Sequence, residues 1–361
     1  MKPPRVLFVL LASVVIISTL SACSGAAFAA SSWPGMIVDN GTAYIANGPH
    51  VYAVNLENGT EKWRYPQKPE STKSFFATPA LTPDGQLIVG GYDHVLYSLN
   101  PTNGQENSWK FTDAKDRYIG SPLVTKQGIF APNADGYLYA LDFSGKPIWA
   151  TPFKAGQALW AHPTTDNQCG CIYLPSMDHN IYSLNAQNGT VIWKQDLGAA
   201  IAGTPTLSKD GVLYAGTFGN EIVALDTQKS GEIKWRKPTA GWVWSGPALA
   251  SDSLYVGDIK GNLYAINAAN GSEDWKIQPN GLIVSTPLVI SDTVYVTTES
   301  GSIFTYDISK NPRWNQAIGG KLYAPALASG SLILITPIEA GPLLVALDAN
   351  GAQKWIYTPA K

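Results

Sequence analysis

Tyr182-Ser183-Leu184-Asn185, then Asn188-Gly189, then Val191-Ile192-Trp193: this order of an aromatic-led apolar run, a glycine turn and a tryptophan recurs along the whole chain. The tryptophans Trp63, Trp109, Trp149, Trp193, Trp235, Trp275, Trp314 and Trp355 are separated by 46, 40, 44, 42, 40, 39 and 41 residues. Before each lies the same apolar run, as in Tyr52-Ala53-Val54-Asn55, Tyr97-Ser98-Leu99-Asn100, Val223-Ala224-Leu225-Asp226 and Val345-Ala346-Leu347-Asp348. The turn glycine follows in seven copies. The seventh copy in chain order departs, running from Tyr306-Asp307 to Trp314 with no glycine. Upstream of each unit stands a proline: Pro34, Pro79, Pro122, Pro163, Pro205, Pro247, Pro287 and Pro325.

A period near forty built from short apolar runs and Asn-Gly or Ser-Gly turns describes four strands per repeat, because such dipeptides supply the positive-φ residues of a tight hairpin. In the fourth copy the reading is strands at 162–165, 171–175, 181–184 and 191–194, with Asn188-Gly189 turning between the last two. A small four-stranded sheet cannot bury both faces alone. Copies must stack face to face, and a closed ring leaves no exposed end. The expected fold is therefore all-β, an eight-bladed propeller over residues 33–361.

Composition agrees. Charged residues make up 14% of the chain, against about 25% in ordinary domains, while Gly and aromatic residues are plentiful. The net charge of -2 supplies no field for nucleic acid, and no basic stripe changes that.

The first residues form a separate signal. Lys2 and Arg5 precede an apolar run, Val6 to Ile17, too short for a comfortable membrane span, and Leu20-Ser21-Ala22-Cys23 follows. This resembles a bacterial lipoprotein signal, which implies a signal peptide over 1–22 and lipidation at Cys23. A plain secretory signal with cleavage near Ala30 is the alternative. Residues 23–32, rich in Ala, Ser and Gly, read as a flexible tether. Acyl chains contribute roughly 0.8 kcal/mol per buried methylene and would hold the mature protein on a membrane outside the cytoplasm.

The recurring Ala-Leu-Asp/Asn run, turn glycine and tryptophan resemble the tryptophan-docking repeat of pyrroloquinoline-quinone (PQQ) type propellers, over essentially the whole mature chain. The resemblance implies that the eight repeat tryptophans dock between blades. One branch of that superfamily contains quinoprotein dehydrogenases, and another contains non-catalytic lipoproteins of the outer-membrane assembly factor BamB type. Quinoprotein dehydrogenases carry long insertions, a calcium site and an adjacent cysteine pair over the quinone. Here repeats of 39 to 46 residues leave little chain for a deep pocket, and Cys169 and Cys171 are not adjacent. The expectation is a non-catalytic, monomeric scaffold with no cofactor, which takes an envelope protein or peptide segment. A PQQ-binding propeller with calcium is the alternative.

Residues i and i+2 of a flat strand lie about 6.6 Å apart at Cα, the upper edge of disulfide geometry, and closing so small a loop gains only roughly 1.6 kcal/mol. A local Cys169–Cys171 disulfide and structural free thiols both stay open. Metal binding is disfavoured, since Cys-x-Cys supplies half a site.

Trp33, Trp160, Trp242 and Trp244 lie outside the repeat. With the copies aligned on the proline, Phe76, Ile119, Trp160 and Trp244 share one position, three residues before it. That segment links the outer strand of one blade to the inner strand of the next and crosses a face of the disk. With Phe75, Tyr118, Trp242 and Tyr323 nearby, an aromatic funnel at the channel mouth is expected, with Lys73, Arg117 and Lys321 adding a partly basic rim. Either the loops pack on one another to fill a wide hub, or the concave surface accepts a ligand, Trp, Tyr and Arg being the residues of interaction hot spots. His162 stands where other copies have Thr78, Ser121, Thr204 and Thr286, and reads as a histidine satisfied by a neighbouring blade, with a ligand-binding or proton-transfer group of the funnel as the alternative. His94 and His179 read as turn residues. No Ser-His-Asp, paired-carboxylate or phosphate-loop pattern is present.

Overall fold

The structure is a computed structural model that describes residues 33–360; the signal region, the tether and Cys23 lie outside the described residues. Thirty-two strands form eight four-stranded antiparallel sheets. Each sheet is a meander of consecutive strands, spanning 35–65, 80–111, 123–154, 164–196, 206–238, 248–277, 288–317 and 327–357, here blades 1 to 8. In blade 4 the strands are Thr164–Asp166, Cys171–Pro175, Asn180–Asn185 and Val191–Asp196, within two residues of the sequence reading. The only helix among the described residues is a one-turn 3-10 segment, Thr227–Lys229.

The middle strands are largely buried, as in Leu87–Gly90 and Gly128–Pro132, because both faces of each sheet meet a neighbouring blade. Outer strands alternate instead: Glu232–Pro238 exposes every second side chain at the rim. The core is divided into inter-blade clusters. One of them joins Ile45 and Val54 of blade 1 to Leu334 and Ala346 of blade 8 and so closes the ring.

The repeat tryptophans make the same contact at nearly every seam. Six indole N–H groups donate to a carbonyl of the next blade at 2.9 to 3.1 Å, including Trp63 to Pro101 and, across the closing seam, Trp355 to Leu56. Trp109 donates to Gln86, whose amide reaches the blade 3 carbonyl of Phe143 at 2.7 Å. Seven of the eight rings also lie on the turn glycine of the following blade. A Cβ on Gly59 would stand 2.6 Å from Cε3 of Trp355, and six further seams are as tight. These glycines have positive φ, 73° at Gly59, so both the backbone and the indole require the missing side chain. In blade 7 the turn carries Lys310 at φ 70° instead. Trp63, Trp149 and Trp193 are buried, while the other five stay half-buried because the outer strands that carry them face the rim.

Candidate functional site

The segments that enter each inner strand run across one face of the disk, here the hub face. The loops between the second and third strands share that face, since strand direction alternates within a blade. Strand register places these segments in one frame. Ile37, Ala80, Leu123, Thr164, Thr206, Ala248, Leu288 and Leu327 occupy equivalent pairings with the second strand. Four residues earlier stand Trp33, Phe76, Ile119, Trp160, Ala202, Trp244, Val284 and Tyr323, all half-buried. One residue before these, Phe75, Tyr118, Leu159, Ile201, Val243, Ile283 and Leu322 are at most 1% exposed.

This alternation corrects two expectations. Tyr118 does not line the funnel: it lies in the core between blades 2 and 3, with Cβ against Gly90 and no hydrogen-bond partner for its hydroxyl among the described residues. Burial raises its pKa well above the ordinary phenol range. The proline frame, in turn, is out of step in two blades. Met36 and Ala326 take the place that proline fills elsewhere, so Trp33 and Tyr323 are full members of the ring position.

The rings meet in a chain. Trp33 contacts Trp244 at 5.9 Å and Tyr323 at 5.8 Å between centroids. Trp244 packs on Phe218 at 4.7 Å, and Phe218 stacks on Trp242 at 5.2 Å with 15° between planes. Trp242 is 45% exposed, among the most exposed large apolar side chains described. Across the hub, Phe76 packs on Tyr92 at 5.0 Å, and the Arg117 guanidinium lies 5.3 Å from the Tyr92 ring. Trp160 is half-buried in the ring.

Phe218 and Tyr92 were missed by sequence reasoning. Phe218 had a signal: it is the residue equivalent to Tyr92, Ala134 and Met177, and it is followed by Gly219 where those copies carry Asp93, Asp135 and Asp178. Those aspartates accept hydrogen bonds from Tyr97, Tyr139 and Tyr182 at 2.5, 2.7 and 2.6 Å, and so stiffen the loops. Tyr323 donates likewise to Glu299 at 2.8 Å.

The rim is mixed rather than basic. Lys73 turns inward, bonding the Tyr65 hydroxyl and Glu70 at 3.0 Å each. Lys321 pairs with Glu339 at 3.1 Å. Arg117 keeps an exposed side chain and pairs loosely with Asp116 at 3.6 Å. His162 is half-buried in the inner wall, with Nδ1 3.1 Å from the Ser121 carbonyl of the preceding blade. Burial lowers its pKa, and the hydrogen bond to that carbonyl opposes the shift. His94 and His179 are exposed turn residues at φ 70° and 75°.

Cys169 and Cys171 are joined by a disulfide with Cα atoms 5.2 Å apart. The hairpin corner at Gly170, φ 62°, brings them closer than a flat strand would. They lie at the far end of the inner strand of blade 4, on the face opposite the aromatic loops. Among the described residues no three or more His, Cys, Asp or Glu side chains form a group that could hold a metal ion.

Fold and site together define a propeller of tryptophan-docking repeats with an aromatic hub face. The sequence profile of the family described as outer membrane protein assembly factor BamB matches residues 15–162 and 177–288, and the chain belongs to that family. It is 24% identical over 235 residues to the BamB of Moranella endobia, covering 61% of this chain and 58% of that protein. A quinoprotein ethanol dehydrogenase of Pseudomonas aeruginosa is 27% identical over 176 residues, 42% of this chain and 28% of that enzyme. The crystal structure of BamB from Moraxella catarrhalis superposes with a TM-score of 0.70 at 16% identity, covering 90% of this chain and 94% of that one. The chain thus spans less than two thirds of the curated relatives named, and the structural likeness speaks for the fold.

Proposed function

We propose that the protein is a non-catalytic scaffold of the cell envelope, which uses the hub face of its propeller to engage a segment of another envelope protein during outer-membrane assembly. The observation that carries this reading is the ladder of rings from Trp33 through Trp244 and Phe218 to the exposed Trp242. Aromatic side chains held rigid by their neighbours and open on one side concentrate binding energy, because little rotamer freedom remains to be lost. Arg117 beside Tyr92 adds a directional cation. Family membership supports the assembly role.

Lipidation at Cys23 anchors the protein on the periplasmic face of the outer membrane. The test is cross-linking in intact cells from a photoreactive residue at position 242, with mass spectrometry of the adducts. Adducts to one or a few envelope proteins that diminish in Trp244→Ala and Arg117→Ala support the reading. A pattern the same as from position 126, an exposed turn on the opposite face, removes it.

A further inference from the structure

We infer that Trp33 is a resident occupant of an aromatic subsite on the hub, standing where an aromatic side chain from an extended partner segment docks. Partner binding then displaces the Trp33 indole from Trp244 and Tyr323. The inference rests on the hub-face reading above and adds the chemistry that the face selects.

Three observations carry it. Trp33 belongs to blade 1, yet its contacts are with the ring residues that lead into blades 6 and 8. In ring order those two stand on either side of Val284 of blade 7, which with Ile119 and Ala202 is one of three ring positions without an aromatic side chain, so the indole makes its ring contacts outside its own sector. Second, the other seven ring residues each lie between an outer and an inner strand. Trp33 instead precedes the first described strand, Gly35–Asp39. Third, the chain becomes fixed immediately after it. Pro34 and Gly35 are buried, and a Cβ on Gly35 would stand 2.4 Å from the Thr78 backbone nitrogen. Proline restricts rotation there as well. Release of the indole therefore means rotating Trp33 about a rigid Pro34, with no strand among the described residues to unpair.

Two ring contacts of ordinary aromatic strength bias the site toward self-occupancy on the order of 5- to 150-fold. A competitor feels that bias directly, because its apparent affinity falls with the fraction of open sites. The neighbouring Phe218 and Trp242 continue the same ladder outward, so a segment with a second apolar residue would engage them while its first ring displaces Trp33.

The probe is N-acetyl-tryptophan amide, titrated into wild type, Trp33→Ala, Trp33→Phe and Trp33→Ala/Trp244→Ala, followed through the indole N–H resonances of Trp242 and Trp244. Trp33→Ala is expected to bind at least fivefold more tightly than wild type, with Trp33→Phe between them and the double variant silent. Trp33→Phe keeps a ring in place, which guards against a general loss of fold. Equal affinity in wild type and a folded Trp33→Ala, absence of binding to both included, overturns the inference. Cross-links from position 242 that depend on Trp244 would leave the scaffold reading standing in that event. Tight binding to Trp33→Ala without such cross-links would do the reverse.

Discussion

Gly59→Ala places a methyl group in the seam that closes the ring. The added Cβ would stand 2.6 Å from Cε3 and 2.9 Å from Cδ2 of Trp355, well inside contact, and the residue has φ of 73°. Two costs follow. Holding an L-residue in the left-handed region takes about 1–2 kcal/mol, and displacing a packed indole takes about 1–3 kcal/mol as an overpacking strain. Gly41→Ala in the same blade separates them, since Gly41 has φ of 71° and nothing within 4 Å of the position a Cβ would take. Unfolding entropy of about 2.1 cal/mol/K per residue over roughly 330 residues makes each kcal/mol about 1.5 °C in Tm. Gly41→Ala should therefore lower Tm by roughly 1.5–3 °C, and Gly59→Ala by roughly 3–7 °C. Differential scanning calorimetry of the two variants beside wild type measures the difference. Equal shifts would refute the claim that the indole clamps the turn, and with it the reason a glycine recurs there.

Lys310→Gly should have the opposite sign, raising Tm by roughly 1.5–3 °C, because it removes the left-handed cost at the one turn that lacks the glycine; an unchanged or lower Tm in the same calorimetric scan counts against it. His162 is a base whose folded pKa lies below its unfolded value near 6.5. Its stabilisation is complete above about pH 6.5 and is lost as pH falls through the folded value, because the unfolded chain takes up the proton first. His162→Thr, which matches Thr78, Thr204 and Thr286, should shrink the fall in Tm between pH 7.5 and pH 5, with His50, also lowered by burial, leaving a remainder. An identical pH profile would show that His162 does not carry that loss.

The ring was legible because its determinants are local and repeated. An Asn-Gly turn, a period-two apolar run and an indole at fixed spacing each act within one blade and its neighbour, so eight copies state the same constraint eight times. The hub face was legible only in part, and particular residues show why. Proline marks the start of the inner strand in six blades, where its fixed φ suits the turn, but Met36 and Ala326 serve equally in the other two. A frame built on proline therefore sets Trp33 and Tyr323 out of step. Tyr118 went the other way. A crossing segment alternates buried and half-buried side chains, so a shift of one residue moves an aromatic from the mouth into the core. The Cys169–Cys171 distance likewise depended on Gly170 turning a corner that strand geometry does not contain.

The two positions that alternate in the crossing segments differ in what constrains them. The inward one is apolar and buried in all seven blades where it is described, as close packing between stacked sheets demands. Ring closure asks nothing more of the outward one. There the side chains range from Ala202 to Trp244: blades 1, 2, 4, 6 and 8 carry a large ring, and Ile119, Ala202 and Val284 lead into blades 3, 5 and 7. An eightfold scaffold gains nothing from such unevenness, and a hub that only needed filling would be served by similar residues all round. The rings that touch one another, Trp33, Trp244 and Tyr323, form one part of that set, and Trp33 is the member that precedes the first described strand. In this protein the repeat accounts for stability, and the departures from the repeat are where recognition is to be sought.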